Sequence, residues 1–147
     1  MRVYVDSAIH RWRGQLWCHV FSPDLDALHA LMASIGSKRE WFQDPSTMPK
    51  VSWPHYDANE KRRAAAIAAG AVIVGRHQTV AMSRVVRNVW TGEMVDPLAR
   101  HRATSSARLP ELESWLIREL SALGIDPIPH LRTARSTASL PAVPTLG

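Results

Sequence analysis

A helix with both ends marked, flanked by short apolar runs, constrains this chain most. Ser22 reads as its N-cap and Pro23 as its first residue, with Asp24 and Asp26 in the first turn, where carboxylates complement the helix dipole. Leu25, Leu28, Leu31, Met32 and Ile35 recur with a 3.6-residue period, and Gly36 supplies the stop. Before this helix, Arg2-Val3-Tyr4-Val5 is a strand-like run that breaks at Asp6-Ser7, and Leu16 to Phe21 is a second extended segment. Residues 8–16 between them, with Gly14 and the charged Arg11 and Arg13, read as a loop.

Beyond the helix, residues 37–56 look irregular, with a short strand within Lys38-Arg39-Glu40-Trp41-Phe42 and a loop to Trp53. Asp57 and Glu60 form a capping-box-like start for a second helix through Ala64–Ala69, ended by Gly70. Ala71-Val72-Ile73-Val74 is apolar throughout, as a central parallel strand covered on both faces would be. A third helix, Thr79 to Trp90, sets Val85, Val86, Val89 and Trp90 opposite Arg84 and Arg87. Pro110 opens a fourth that ends at Gly124. The element order predicts an α/β fold: a small single domain with a three-to-four-stranded, mainly parallel sheet flanked by helices, plus a C-terminal helix and a loose tail. The expected divisions are an α/β domain over 1–90, a linker and helix over 91–126, and a disordered tail over 127–147, which has four prolines and no acidic residue.

Composition narrows the class. Of 147 residues, 46% are hydrophobic and 21% charged, which describes a globular chain with an ordinary core. The longest small-apolar run, Ala64 to Gly75, falls far short of the ~20 residues that span a bilayer. The first residues show no apolar signal segment, and one cysteine, Cys18, excludes an internal disulfide framework, so the cytoplasm is the expected compartment. Residues 1–60 carry six Lys/Arg against seven Asp/Glu, residues 61–102 eight against two, and residues 103–147 four against four. The excess of positive charge therefore lies between Lys61 and Arg102, where it suits a polyanion or simply forms a solvated face.

Chemistry-bearing residues gather where elements end. Asp6 closes the first strand, at a carboxyl end where ligands of open sheets bind; it also fits a turn aspartate bonded to nearby amides. His55 stands before the second helix, an imidazole suited to proton transfer, or one packed under Trp53. Tyr56 offers a phenol, and Asp57 either a cap or a reactive carboxylate. Lys61, Arg62 and Arg63 oppose the helix dipole, so local helix stability does not account for them, whereas a phosphate at that helix end would. Trp12 between Arg11 and Arg13 has the make-up of a stacking platform for a base. Asp6, His19, His29, His55 and Asp57 together hold enough ligand atoms for a divalent metal, but lack any short His-x-x-x-His or Cys-x-x-Cys spacing, so none is assigned as a ligand. Cys18, between Trp17 and His19 in an apolar run, reads as buried and inert.

Val3-Tyr4-Val5-Asp6, Trp17-Cys18-His19, Leu28-His29-Ala30, Ile35-Gly36, His55-Tyr56-Asp57 and Ala69-Gly70-Ala71 resemble, in that order, the motifs of the DUF4031 family. This is a short bacterial and phage domain marked by Tyr-Val-Asp and His-Tyr-Asp. The resemblance covers residues 1–76. Asp26-Ala27 before Leu28-His29, and a long loop before Trp53-Pro54, depart from the pattern. The family brings no assigned activity, so the resemblance supports site residues without supplying a reaction.

The expectation is a nucleotide- or nucleic-acid-directed enzyme, a hydrolase or transferase. Asp6, His55 and Asp57 are its catalytic candidates, and Tyr56, Trp17, His19, His29, Arg62 and Arg63 its substrate contacts. A divalent metal stays open as a cofactor. The alternative is a non-catalytic module, such as a phage accessory protein, binding nucleic acid or protein through Arg84 and Arg87.

Overall fold

The structure, a computed structural model, describes residues 2–131. Strands β1 (Tyr4–Val5), β2 (His10–Trp12) and β3 (Gln15–Phe21) lead into helix α1 (Leu25–Ser34) and a 3₁₀ turn at Arg39–Trp41. Strands β4 (Phe42–Gln43) and β5 (His55–Asn59), helix α2 (Glu60–Ala68) and strand β6 (Val72–Ile73) come after it. Helices α3 (Arg76–Thr91), α4 (Ala99–Ala103) and α5 (Leu109–Ala122) complete the order. Residues 127–131 are helical as well, with His130 and Leu131 buried, although the expected tail begins at 127. The rest of that tail, 132–147, lies outside the described residues.

The α/β class holds, but strand number and orientation differ from expectation. The sheet has six strands in the order β4-β5-β3-β1-β6, with β2 also paired to β3. Among the described residues only β1 and β6 run parallel, and every other pairing is antiparallel. Two local causes explain this. Arg13 and Gly14 both take positive φ, 49° and 72°, the two-residue primed turn that folds β2 back onto β3. An arginine in that conformation leaves no sequence signal, so the segment reads as loop. Second, β6 is an edge strand with Ile73 exposed, paired on one side alone to β1, rather than a central strand.

Two helix starts are also displaced. In α1 the cap is Asp24, whose carboxylate accepts the Ala27 N–H at 3.1 Å, while Ser22 Oγ accepts the Asp24 N–H and donates to the Arg2 carbonyl. In α2 the cap is Asn59, whose Oδ1 accepts the Arg62 N–H at 2.9 Å. His55-Tyr56-Asp57 is therefore strand, and Asp57 caps nothing. A five-residue β5 carries the chain past Asp57 because its ladder with β3 extends to Trp17↔Asn59.

Alternation along the strands gives each face of the sheet its own core. Val3, Val5, Cys18, Val20, Tyr56 and Ala58 pack under α1 and α2 with Leu28, Leu31, Met32 and Ala66. Tyr4 and Phe21 pack on the other face with Met82, Val85 and Val86 of α3 and Leu112, Leu116 and Leu120 of α5. Each such large side chain contributes roughly 1.5–3 kcal/mol on full burial. Tyr4 also donates its hydroxyl to the buried Glu119 at 3.0 Å, tying β1 to α5. Arg102 bridges Asp96 at 2.9 Å and Glu113 at 3.1 Å, so the expected linker is anchored too. On α3, Val89 is exposed and Asn88 takes an inward position. Asn88 Nδ2 donates to the Val95 carbonyl and to His130 Nδ1, and its Oδ1 accepts the Val95 N–H.

Two expected outcomes test these assignments. Asn59→Ala should lower stability to urea by about 1 kcal/mol and Asn59→Ser much less, because serine keeps a cap oxygen; equal midpoints for Asn59→Ala and wild type would return the helix start to Asp57. Burial of His130 holds its imidazole below the ordinary value, with Asp126 offsetting in part. The unfolded chain then binds the extra proton first, so this contribution is full above about pH 6.5 and is lost as pH falls below it. His29 and His101 shift the same way, mainly through burial, and His19 the opposite way. Urea midpoints at pH 7.5 and pH 5 should differ less for His130→Gln than for wild type.

Candidate functional site

The site grows from a break in one sheet edge. β1 pairs with β3 at Val5↔Val20, and β2 pairs with the same edge of β3 at His10↔Trp17. Residues 6–9 therefore face only residues 18 and 19, a bulge of two extra residues; bulges of this kind re-aim side chains. Asp6 opens it. Its N–H still donates to the His19 carbonyl at 3.2 Å, but its own carboxylate replaces its backbone carbonyl as acceptor for the His19 N–H, at 2.6 Å. The freed Asp6 carbonyl accepts from Arg63 Nε at 2.7 Å instead.

A row of polar groups crosses the sheet from there. Asp6 lies opposite His19 on one side of β3, and Asp57 lies opposite His19 on the other. Asp6 Oδ2 is 2.7 Å from His19 Nδ1, so one carboxylate grips both the backbone and the ring of that histidine. His55, two residues before Asp57 and thus on the same face, sits with Nε2 3.4 Å from Asp57 Oδ1. Its Nδ1 is 2.8 Å from the Trp53 carbonyl, and its ring stacks on the Trp53 indole at 4.4 Å. A carbonyl only accepts, so His55 carries its proton on Nδ1; the Asp6 carboxylate selects the same tautomer in His19. When either ring is neutral, its Nε2 is left as a lone-pair donor.

Charge obeys the same geometry. Burial works against protonation of His19, but the Asp6 hydrogen bond and the charges of Asp6 and Asp57 outweigh it and raise the imidazole above its ordinary value. Burial likewise works to raise the Asp57 carboxyl, yet the His55 hydrogen bond and the imidazoles of His55, His19 and His10 pull it below the usual carboxylate range. Two sets of three residues bring ligand atoms within 4.8 Å of one another: Asp6, His10 and His19, and His19, His55 and Asp57.

His10, His19, His55 and Asp57 line one cavity of about 820 Å³, within the usual size of a small-molecule site, and Asp6 stands behind His19. Trp12, Trp17 and Trp41 form its aromatic walls, with His10, Glu40, Gln43, Met48 and Arg62 alongside. Trp12 and Trp17 meet edge to face at 5.6 Å. The Arg62 guanidinium lies 4.6 Å from the Trp41 ring, and its buried Nε–H has no acceptor among the described residues.

Of the residues named from sequence, Asp6, Trp17, His19, His55, Asp57 and Arg62 come together here. Asp6 partners His19 rather than His55. Arg63 is bonded to the Asp6 carbonyl and does not line the cavity. Tyr56 and His29 lie on the opposite face, bonded to each other at 2.8 Å, because residue 56 points away from 55 and 57 along a strand. Arg84 and Arg87 stand on α3, with neither in the cavity wall; the Arg84 charge helps keep His101 neutral. Cys18 is buried beneath the sheet, and that burial pushes its thiol up to about 12, so it supplies no thiolate. His10 and Trp41 are absent from the sequence-derived set. The signal for His10 is the alternation His10-x-Trp12 and Trp17-x-His19 around Arg13-Gly14, legible only once the hairpin is known, whereas Trp41 enters from the 3₁₀ turn at Arg39–Trp41.

Among the described residues, no helix is long and apolar enough to cross a membrane. Comparison with curated proteins and with solved structures gives no match. A family model does match, over residues 3–86, and so extends past the motifs to the middle of α3. The matched family is described as a protein of unknown function, DUF4031, and this chain belongs to it.

Proposed function

We propose that the chain is a hydrolase or transferase directed at nucleotides or nucleic acid, with its reaction centre at the histidine–carboxylate row of the cavity. The observation that carries this reading is the Asp6 clamp on His19 at the floor of a tryptophan-walled cavity. A fixed imidazole beside a second imidazole and a carboxylate is equipped to activate a water or hydroxyl for attack. Trp12, Trp17 and Trp41 offer flat faces to a base, and Arg62, with an N–H lacking an acceptor, suits a phosphate oxygen. His19, His55 and Asp57 carry the chemistry; Asp6 positions His19. The reduced, buried Cys18 accords with work in the cytoplasm.

The test is a thermal-shift panel of nucleotides and oligonucleotides, followed by product analysis of those that raise the melting temperature. Trp41→Ala should weaken binding by about 5–150-fold, the equivalent of ~1–3 kcal/mol of stacking, and His19→Ala should abolish turnover. If Arg84→Glu with Arg87→Glu removes binding and flattens its salt dependence while Trp41→Ala does neither, the chain is a non-catalytic polyanion binder through α3. An empty panel overturns both readings.

A further inference from the structure

The cavity walls pose an electrostatic problem for the proposed substrates. Asp57 and Glu40 line the cavity, Asp6 lies just behind His19, and among the described residues Arg62 is the one arginine or lysine in the lining. A phosphate entering this field meets more fixed negative than positive charge. A cation at the floor would reverse that balance, and the floor has the form of a site for one.

We propose that His19, His55 and Asp57 bind a divalent first-row transition metal through His19 Nε2, His55 Nε2 and an Asp57 carboxylate oxygen, an assignment that rests on reading the cavity as a reaction centre. Three independent features of the geometry point there. The set offers one ligand atom from each residue, all within 4.8 Å of one another. Each imidazole has its other nitrogen fixed by an acceptor, Asp6 Oδ2 at 2.7 Å for His19 and the Trp53 carbonyl at 2.8 Å for His55. Metal-bound histidines are held in that way, since the outer acceptor sets the tautomer and turns Nε2 toward the ion. Finally, His55 Nε2 and Asp57 Oδ1 face each other at 3.4 Å. An imidazole nitrogen and a carboxylate oxygen are held at that distance by a cation between them, either a proton on His55 or a metal ion. For bonds of ~2.0–2.1 Å at the tetrahedral angle, the ligand–ligand edge is ~3.4 Å.

The second three-residue set does not compete. Both Asp6 oxygens are engaged by His19, one by its N–H and one by Nδ1, so Asp6 orients a ligand rather than being one. His10 is exposed on β2, its ring 4.9 Å from that of His19, and stands beside the ion rather than closing its sphere. Three protein ligands with one open position is the pattern of a catalytic rather than a structural site. The open position takes a water, which the ion makes nucleophilic near neutral pH, or a phosphate oxygen of the substrate. The ligands come from two paired strands, β3 and β5, so the ladder itself fixes their spacing.

Metal binding is measured on the chelator-treated full chain with Zn²⁺ alone, by calorimetry and by metal content after dialysis. Equimolar uptake is expected, with His55→Ala and Asp57→Ala each losing on the order of 100-fold in affinity and Asp6→Asn about 10–100-fold. His77→Ala, on α3 outside the cluster, should bind as wild type does. Co²⁺ added to the unmutated chain should give the intense visible absorption of a tetrahedral ion, a readout that no folding defect in a variant can mimic. Equal Zn²⁺ affinity in wild type and His55→Ala, or a Co²⁺ spectrum no different from that of the aqueous ion, overturns the assignment. Nucleotide binding in chelator by a chain that takes up no metal would remove the ion and leave the cavity reading intact. Equimolar metal with no thermal shift from any nucleotide or oligonucleotide would do the reverse.

Discussion

The carboxylate of Asp6 holds fold and site together. At the end of β1 it takes the His19 N–H that a regular ladder would deliver to a backbone carbonyl, and it takes the His19 ring as well. The strand pairing stops there, and the edge bulges before resuming at His10. The displaced carbonyl is not orphaned, because Arg63 reaches it from α2. A buried acceptor without a donor would cost about 1–3 kcal/mol, so Asp6 and Arg63 act as a pair. Arg63 therefore belongs to the scaffold, although its position near a helix start suggests a phosphate contact. The same bond relates α2 to β1 directly and explains why a basic residue is tolerated in the first turn of a helix, against the dipole.

Both faces of the sheet are needed to keep that row rigid, and they are covered by different parts of the chain. α1 and α2 cover the face carrying Cys18, Val20 and Tyr56; α3 and α5 cover Tyr4 and Phe21 on the other. The site lies on this second face, and Trp53 is the seam. Its ring packs at 5.2 Å against Phe21 of that core, stacks on His55, and lends its carbonyl to His55 Nδ1. α5 lies beyond the family match, yet its Leu112, Leu116 and Leu120 complete the core behind Trp53, and its Glu119 receives the Tyr4 hydroxyl. Tyr4 of the Tyr-Val-Asp motif is thus a packing residue with one polar contact, while Asp6, two residues on, holds His19 of the cavity wall from behind. Its position in the bulge divides the motif between structure and chemistry.

The class of fold and most of the site are legible in the residues; the connections between them are not. Helix periods in α1 and α5, the stops at Gly36 and Gly124, and the strand at Val3-Tyr4-Val5 depend on local patterns, which sequence displays directly. Strand direction depends instead on the turn that ends a strand. Here the deciding turn is Arg13-Gly14, whose left-handed arginine resembles no standard hairpin signal. The Asp57–Glu60 spacing satisfies a capping rule equally well met by Asn59, and only the ladder to β3 separates the two. Taking Asp57 as the cap hides the most informative fact about it, that its carboxylate is free to meet His55. His29 and Tyr56 are drawn in by motif membership, and one step of strand alternation removes them to the far face.

The same alternation explains why the proposed metal centre is invisible to spacing rules. Those rules encode ligands on one helix turn or one tight loop, where sequence distance sets spatial distance. Here His55 and Asp57 are two apart on one strand, but His19 enters from the neighbouring strand as the partner of Asp57, thirty-eight residues away along the chain. The outer acceptors are more scattered still, Asp6 on a bulge and Trp53 at the end of a loop. Each is a common feature taken singly: a turn aspartate, a carbonyl beside a histidine, an exposed carboxylate. Their conjunction on one face of a sheet buried elsewhere by two sets of helices is what distinguishes this cavity from an incidental cleft. Without α3 and α5 fixing Phe21 and Trp53, His55 would lose both its stacking partner and its acceptor. The chemistry proposed for residues 19, 55 and 57 is therefore coupled to packing from helices that contribute no atom to the cavity's floor.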